Sequence, residues 1–249
     1  MDKVQRWGPA GRIGGTVVLG LAGLWLALAC FAQMQSRATT MSEPWLALTW
    51  DSANPSALTR LAEFYQESKA SPETSKAAVE LARNALIEAP LNGAALRVLG
   101  VEAQRAKDLA AAERLMRASD AVTQRDSVAQ LWLLARALER ADYTLGMRKA
   151  EAALRRDPGA APMVYELVGQ RLSDPAAVAA ISARLARRPD WRGDFLKTIA
   201  AKSDVDEVRG LYMSLEARGS PPSIEEASAL VERLVSTHRY SEAYALWRG

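Results

Sequence analysis

The chain has 249 residues, 49% of them apolar but only 6% aromatic, and a formal net charge of +3. A single cysteine and a single histidine exclude an internal disulfide, a cysteine-based zinc cluster and any site built on several histidines. Lys3, Arg6 and Arg12 against Asp2 place much of the positive charge in the first twelve residues, so the remainder is near neutral and lacks the clustered basic face of a nucleic-acid-binding protein.

The first predicted element is an apolar run. No charged residue occurs from Ile13 to Met34, 22 residues, and a helix needs about 20 to cross a bilayer core. The run is apolar on every side, which points to lipid rather than to a half-buried surface helix. Basic residues precede it and only Arg37 follows closely, so the positive-inside rule puts residues 1–12 in the cytoplasm as a tail. The expected order is then a transmembrane helix over 13–34, a juxtamembrane linker over 35–54 and a helical domain over 55–249. Two processing alternatives stand beside the uncleaved anchor. Ala27-Leu28-Ala29 fits a cleavable signal peptide. The same residues before Cys30 loosely resemble a bacterial lipobox, with Ala27 where leucine is preferred. All three readings carry the main domain out of the cytoplasm. The expected location is a bacterial inner membrane, single pass, with the C-terminal domain in the periplasm.

Beyond residue 54 the composition is rich in Ala, Leu, Arg and Glu, which lose least on entering a helix, so the expected class is all-α. In "PSALTRLAEFYQES", Leu58, Leu61, Phe64 and Tyr65 share one side of a first helix. Ser71 is placed to cap the next helix, with Pro72 at its first position. Pro90 and Pro158 lie 68 residues apart, twice 34, and enclose two units, Gly93–Asp126 and Ser127–Ala160. Small or medium side chains recur at matching places: Gly100, Ala112, Met116 and Ser119 in one unit, Leu134, Gly146, Ala150 and Ala153 in the next, and Ala78, Ala82 and Ala85 in the unit before. After Pro158 the pattern degrades. Five helical pairs are expected in all, with His238 in a turn of the last. "RLARRPDWR", Arg184–Arg192, reads as a solvated helix end. Tyr244, Leu246 and Trp247 leave the final helix without a polar cap, which suggests another chain covers it or the protein continues.

The 34-residue period and these small positions resemble the tetratricopeptide repeat, a helix–turn–helix unit in which small residues let helices press together. The family's tryptophan and tyrosine in the first helix are absent, and Leu96 and Ala103 stand there. The resemblance implies an α-solenoid over 55–249, with a concave groove lined by first helices and used for protein–protein contact. Its chaperone-binding carboxylate clamp is not implied, because the clamp places hold Arg97, Val101 and Trp132 and no asparagine. Leu131, Trp132, Ala135 and Leu138 form an apolar strip flanked by Arg97 and Arg105. Arg97, Val101, Arg105, Leu131, Trp132, Ala135 and Leu138 are therefore the candidate partner-binding residues, unless the strip simply packs on neighbouring repeats. Paired acids such as Glu225/Glu226 and Asp204/Asp206 sit at helix starts, where they suit the dipole. No catalytic, metal or cofactor residues are expected, and the protein is not expected to be an enzyme. The expected function is a membrane-anchored periplasmic scaffold in an envelope assembly complex, such as one for exopolysaccharide. Its expected partners are envelope or inner-membrane proteins and the membrane, with no nucleic acid and the oligomeric state open. The competing reading is a small accessory subunit held mainly through its transmembrane helix.

Overall fold

The computed structural model describes residues 25–68, 71–123 and 126–248. Every regular element among them is helical. They fall into two compact units, one up to Ala112 and one from Glu113.

The first unit contains α1 (25–39), α2 (Pro44–Trp50), α3 (Pro55–Glu67), α4 (Pro72–Glu88) and α5 (Gly93–Arg105). Asn54 starts α3: its side-chain oxygen accepts the N–H groups of Ser56 and Ala57, and Pro55 occupies the first position. Ser71 and Thr74 form a reciprocal capping box on α4, with Pro72 at the first position. Helix α3 packs on α4 and α5, and α4 on α5. The buried seam is mostly alanine: Ala62, Ala78, Ala82, Ala85 and Ala95 with Leu58 and Val98. Residues 35–54, expected as a linker, are instead the end of α1 and the whole of α2, tied to α3 by buried hydrogen bonds. No helix among the described residues is long and apolar enough to cross a membrane. The expected span over 13–34 lies outside them except for residues 25–34, which are helical.

Helix α6 (Leu109–Val122) follows α5 in the chain. The second unit then holds α7 (Ser127–Glu139), α8 (Tyr143–Arg156), a 3-10 turn (Pro158–Ala160), α9 (Ala161–Gly169), α10 (Pro175–Leu185), α11 (Arg192–Lys202), α12 (Val205–Ala217), α13 (Ile224–Ser236) and α14 (Tyr240–Arg248). Within it α7 packs on α9, α9 on α11 and α11 on α13, while α8 packs on α10 and α10 on α12. Odd helices thus stack on odd and even on even, a repeat-like arrangement. From α3 to α14 there are six helical pairs, one more than the sequence pattern suggests. Helices α9, α10 and α11 are shorter, at 9, 11 and 11 residues, and depart from the 34-residue register.

The small positions lie where the period puts them. Ala112, Met116, Ser119, Leu134, Ala150 and Ala153 are buried, as are Ala78, Ala82 and Ala85. Gly146 has a steric reason: a Cβ there would meet Leu138 Cδ2 at 3.1 Å. Four of the turns between consecutive helices share one device. Lys107, Ala141, Gly219 and His238 adopt φ of 63°, 57°, 69° and 61°. After each, the next N–H donates to a carbonyl five residues back, as Asp142 N–H does to Ala137 O at 2.9 Å and Arg239 N–H to Leu234 O at 2.8 Å. Only one of the four is glycine, and a left-handed residue with a Cβ is strained by about 1–2 kcal/mol. The Ala141→Gly variant is therefore expected to be more stable by about 1 kcal/mol, read as a raised urea midpoint.

Candidate functional site

The candidate partner-binding residues fall in both units. In the first, Arg97 on α5 pairs with Glu63 of α3. Arg105 donates from Nη1 to Glu102 Oε1 at 2.6 Å and from Nη2 to the Gln66 carbonyl at 2.8 Å. Glu102 is buried beneath it and also accepts from Gln66 Nε2 at 3.0 Å and from the Ser75 hydroxyl. Both arginines thus fasten α3 to α5, and Val101 is half-buried between them on the helix. In the second unit, Leu138 is buried, Leu131 packs partly against the core, and Ala135 is half-buried. Trp132 is half-buried, with the Arg136 guanidinium 5.9 Å from its ring.

The basic run Arg184–Arg192 differs from its expected solvated state. Arg187 and Arg188 are exposed, but Arg184 pairs with Glu151 and Arg192 is buried. Arg192 Nε and Nη2 grip Glu226 at 2.9 and 3.0 Å, and its remaining donors reach the Leu185, Ser220 and Pro221 carbonyls and the Ser220 hydroxyl. A buried arginine persists only with its donors satisfied in this way.

Two clefts on the second unit are lined by described residues. One, of about 320 Å³, lies between α9 and α11 with the start of α12, and is lined by Tyr165, Glu166, Gln170, Thr198, Lys202 and Glu207 among others. Its floor is a close helix approach: a Cβ on Gly169 would meet Ile199 Cγ2 and Ser203 Oγ, each at 3.3 Å. Tyr165 is held by an edge-on contact with Phe195, centroids 5.5 Å apart, and Phe195 in turn meets Trp191 at 5.9 Å. Burial pushes the Tyr165 hydroxyl up from its ordinary pKa. The side chains of Glu166, Lys202 and Glu207 make no ion pair among the described residues, so a mixed set of charges faces the opening. The other cleft, of about 310 Å³, lies between α8 and α10 and is lined by Arg148, Arg184 and Arg187 with Met147, Ala180 and Ala183. None of these residues was singled out from sequence as binding. The one signal for the α9/α11 cleft was Gly169, a glycine inside a helix, where close packing is the usual cause.

At the edge of the α8/α10 contact, the Tyr143 hydroxyl donates to Asp174, the N-cap of α10. That bond holds the Asp174 carboxyl below the usual aspartate range. A depressed folded pKa contributes stability above the unfolded value, near 3.9, that is lost as pH falls through the folded one. Tyr143→Phe is therefore expected to lower stability at pH 7, with the difference shrinking as pH falls below the aspartate range; urea midpoints at pH 7 and pH 3 check it.

Among the described residues no group of His, Cys, Asp and Glu is placed to hold a metal ion. His238 lies in the α13–α14 turn, its ring nitrogen 2.8 Å from the Tyr240 hydroxyl. The chain matches no protein-family model and no curated protein.

Proposed function

We propose that the protein is a membrane-anchored, periplasm-facing scaffold of tetratricopeptide type, which holds partner proteins of the envelope together through the odd-numbered helices of its α-solenoid. The observation that carries this reading is the stacking of α7, α9, α11 and α13 on one another with an open, charge-lined cleft between α9 and α11. Partner segments in helical-repeat proteins bind along such first-helix surfaces. The buried 34-residue register of small residues supports the repeat class, and the uncharged run over 13–34 supports the anchor. An envelope assembly complex, such as one for exopolysaccharide, rests on architecture alone.

Photo-crosslinking in intact cells tests the reading. Probes go at Gln170 and Lys202 in the cleft, at Trp132 on α7, and at Arg155 on α8 as control. One envelope protein captured from the cleft or α7 positions, and not from Arg155, is the expected result. Failure of every position to capture a partner would sink the scaffold reading.

A further inference from the structure

The expected anchor ends in a surface that water does not suit. Between Trp25 and Trp50 the only charged residues are Arg37 and Glu43. Yet Trp25, Leu28, Met34, Met41 and Trp45 are 55–75% exposed, and Leu26, Phe31 and Trp50 also face outward. Over residues 25–35, α1 is exposed or half-exposed round its whole circumference, so no side of it is buried among the described residues. Contiguous apolar exposure on this scale marks an interaction site.

Helix α2 folds back along α1. The Trp50 ring meets the Phe31 ring edge-on, centroids 5.9 Å apart. The corner is pinned from inside: Asn54 Nδ2 donates to Ser36 Oγ at 2.7 Å and to Thr40 Oγ1 at 3.3 Å, and Thr40 Oγ1 donates to the Ser36 carbonyl at 2.6 Å. Ser36, Thr40 and Asn54 are all buried. The same device joins α3 to α5. Asn92 caps α5 and donates to Thr59 Oγ1 at 2.8 Å, and Thr59 back-bonds to the Pro55 carbonyl at 2.7 Å. Helix α1 is therefore fastened to α3 as the helices of the domain are fastened to each other.

We propose that α2 lies in the interface of a lipid bilayer, with Trp50 at the level of Phe31 and Trp45 nearer water, and that the Ser36–Thr40–Asn54 clasp holds α3 at a fixed attitude to that surface. This rests on the reading of 13–34 as a membrane span. The uncharged run ends at Met34, so at 1.5 Å per residue Phe31 sits about 4.5 Å inside that end. That level is shallow hydrocarbon just beneath the interfacial layer, which is roughly 5–7 Å deep on each side and is where tryptophan concentrates. Lipid is the fitting occupant because the exposed patch continues the span without a break, and the chain itself delivers it to the bilayer.

The test uses the full chain carrying Cys30→Ser, with single cysteines at Leu28, Trp45, Trp50 or the exposed Ile87, spin-labelled in phosphatidylethanolamine/phosphatidylglycerol vesicles. Collision with oxygen, which concentrates in lipid, is compared with collision with a water-soluble nickel chelate. Leu28→Cys should report the deep interior, Trp50→Cys and Trp45→Cys shallow lipid positions, and Ile87→Cys water. A lipid-buried position 28 with 45 and 50 in water overturns the interfacial placement and leaves the span standing. Position 28 in water overturns the span and the proposal with it. Labels at 45 and 50 that are immobilised and shielded from both agents mean a protein partner covers them, which also overturns it. For the clasp, the distance distribution between labels at 28 and 87 should be narrow, and should broaden in Ser36→Ala/Thr40→Val, which leaves the Asn54 cap of α3 intact. An equally narrow distribution in that variant, with helicity unchanged, overturns the fixed attitude.

Discussion

Arg192→Ala is expected to destabilise the second unit by about 3–5 kcal/mol, more than any other single change proposed for a charged residue. The guanidinium is almost fully enclosed, and it joins the end of α10 to the loop before α13 through Leu185, Ser220, Pro221 and Glu226. Its removal takes a donor from three carbonyls, one hydroxyl and one carboxylate. Glu226 keeps one bond, from the Ser223 N–H in the capping box of α13. The cost is therefore that of a stranded partner rather than the net worth of the pair. The double variant Arg192→Met/Glu226→Gln should recover part of the loss, because glutamine keeps the capping-box acceptor without an unpaired charge. Urea unfolding followed by circular dichroism measures both. A double variant no more stable than the single one would count against the stranded-charge account.

Phe195→Ala should cost about 3–5 kcal/mol, the range for emptying a buried aromatic site. Phe195 is 1% exposed and touches Tyr165 on one side and Trp191 on the other. Because Tyr165 is a wall of the α9/α11 cleft, the variant also releases that wall. Two readouts follow: a lower urea midpoint, and loss of crosslinking from Gln170 and Lys202 under conditions where the unit is still folded. Phe195→Leu keeps most of the volume and should retain both better. Loss of stability with crosslinking unchanged would separate the core role of Phe195 from the shape of the cleft.

The elements themselves were legible because they obey local rules. Ser71 and Pro72 start α4 through a cap whose signal is a few residues long. Gly146, Ala150 and Ala153 fall on one seam because helical periodicity and the 34-residue period agree. The binding surface was less legible. Arg97 and Arg105 look like free anchors in the sequence, but Glu63 and Gln66, which hold them, lie across the helix pair and more than thirty residues away; only Glu102, the other partner of Arg105, is local. Arg192 sits in a run of arginines whose neighbours Arg187 and Arg188 are exposed, so nothing local distinguishes the buried one. The corner of α1 and α2 was hidden for the same reason. Ser36, Thr40 and Asn54 are ordinary linker residues until the fold brings them together.

The two seams have different thermal characters. The first is built of five alanines with Leu58 and Val98, whereas the second encloses Tyr212, Phe195, Ile181, Ile199 and many leucines. The heat capacity of unfolding grows with the apolar surface uncovered, and alanine uncovers little. Melting the first unit should therefore show a small heat-capacity step and a nearly flat stability curve between cold and warm. The second unit, with the larger step, should be the one whose stability curves over and whose hold weakens on cooling.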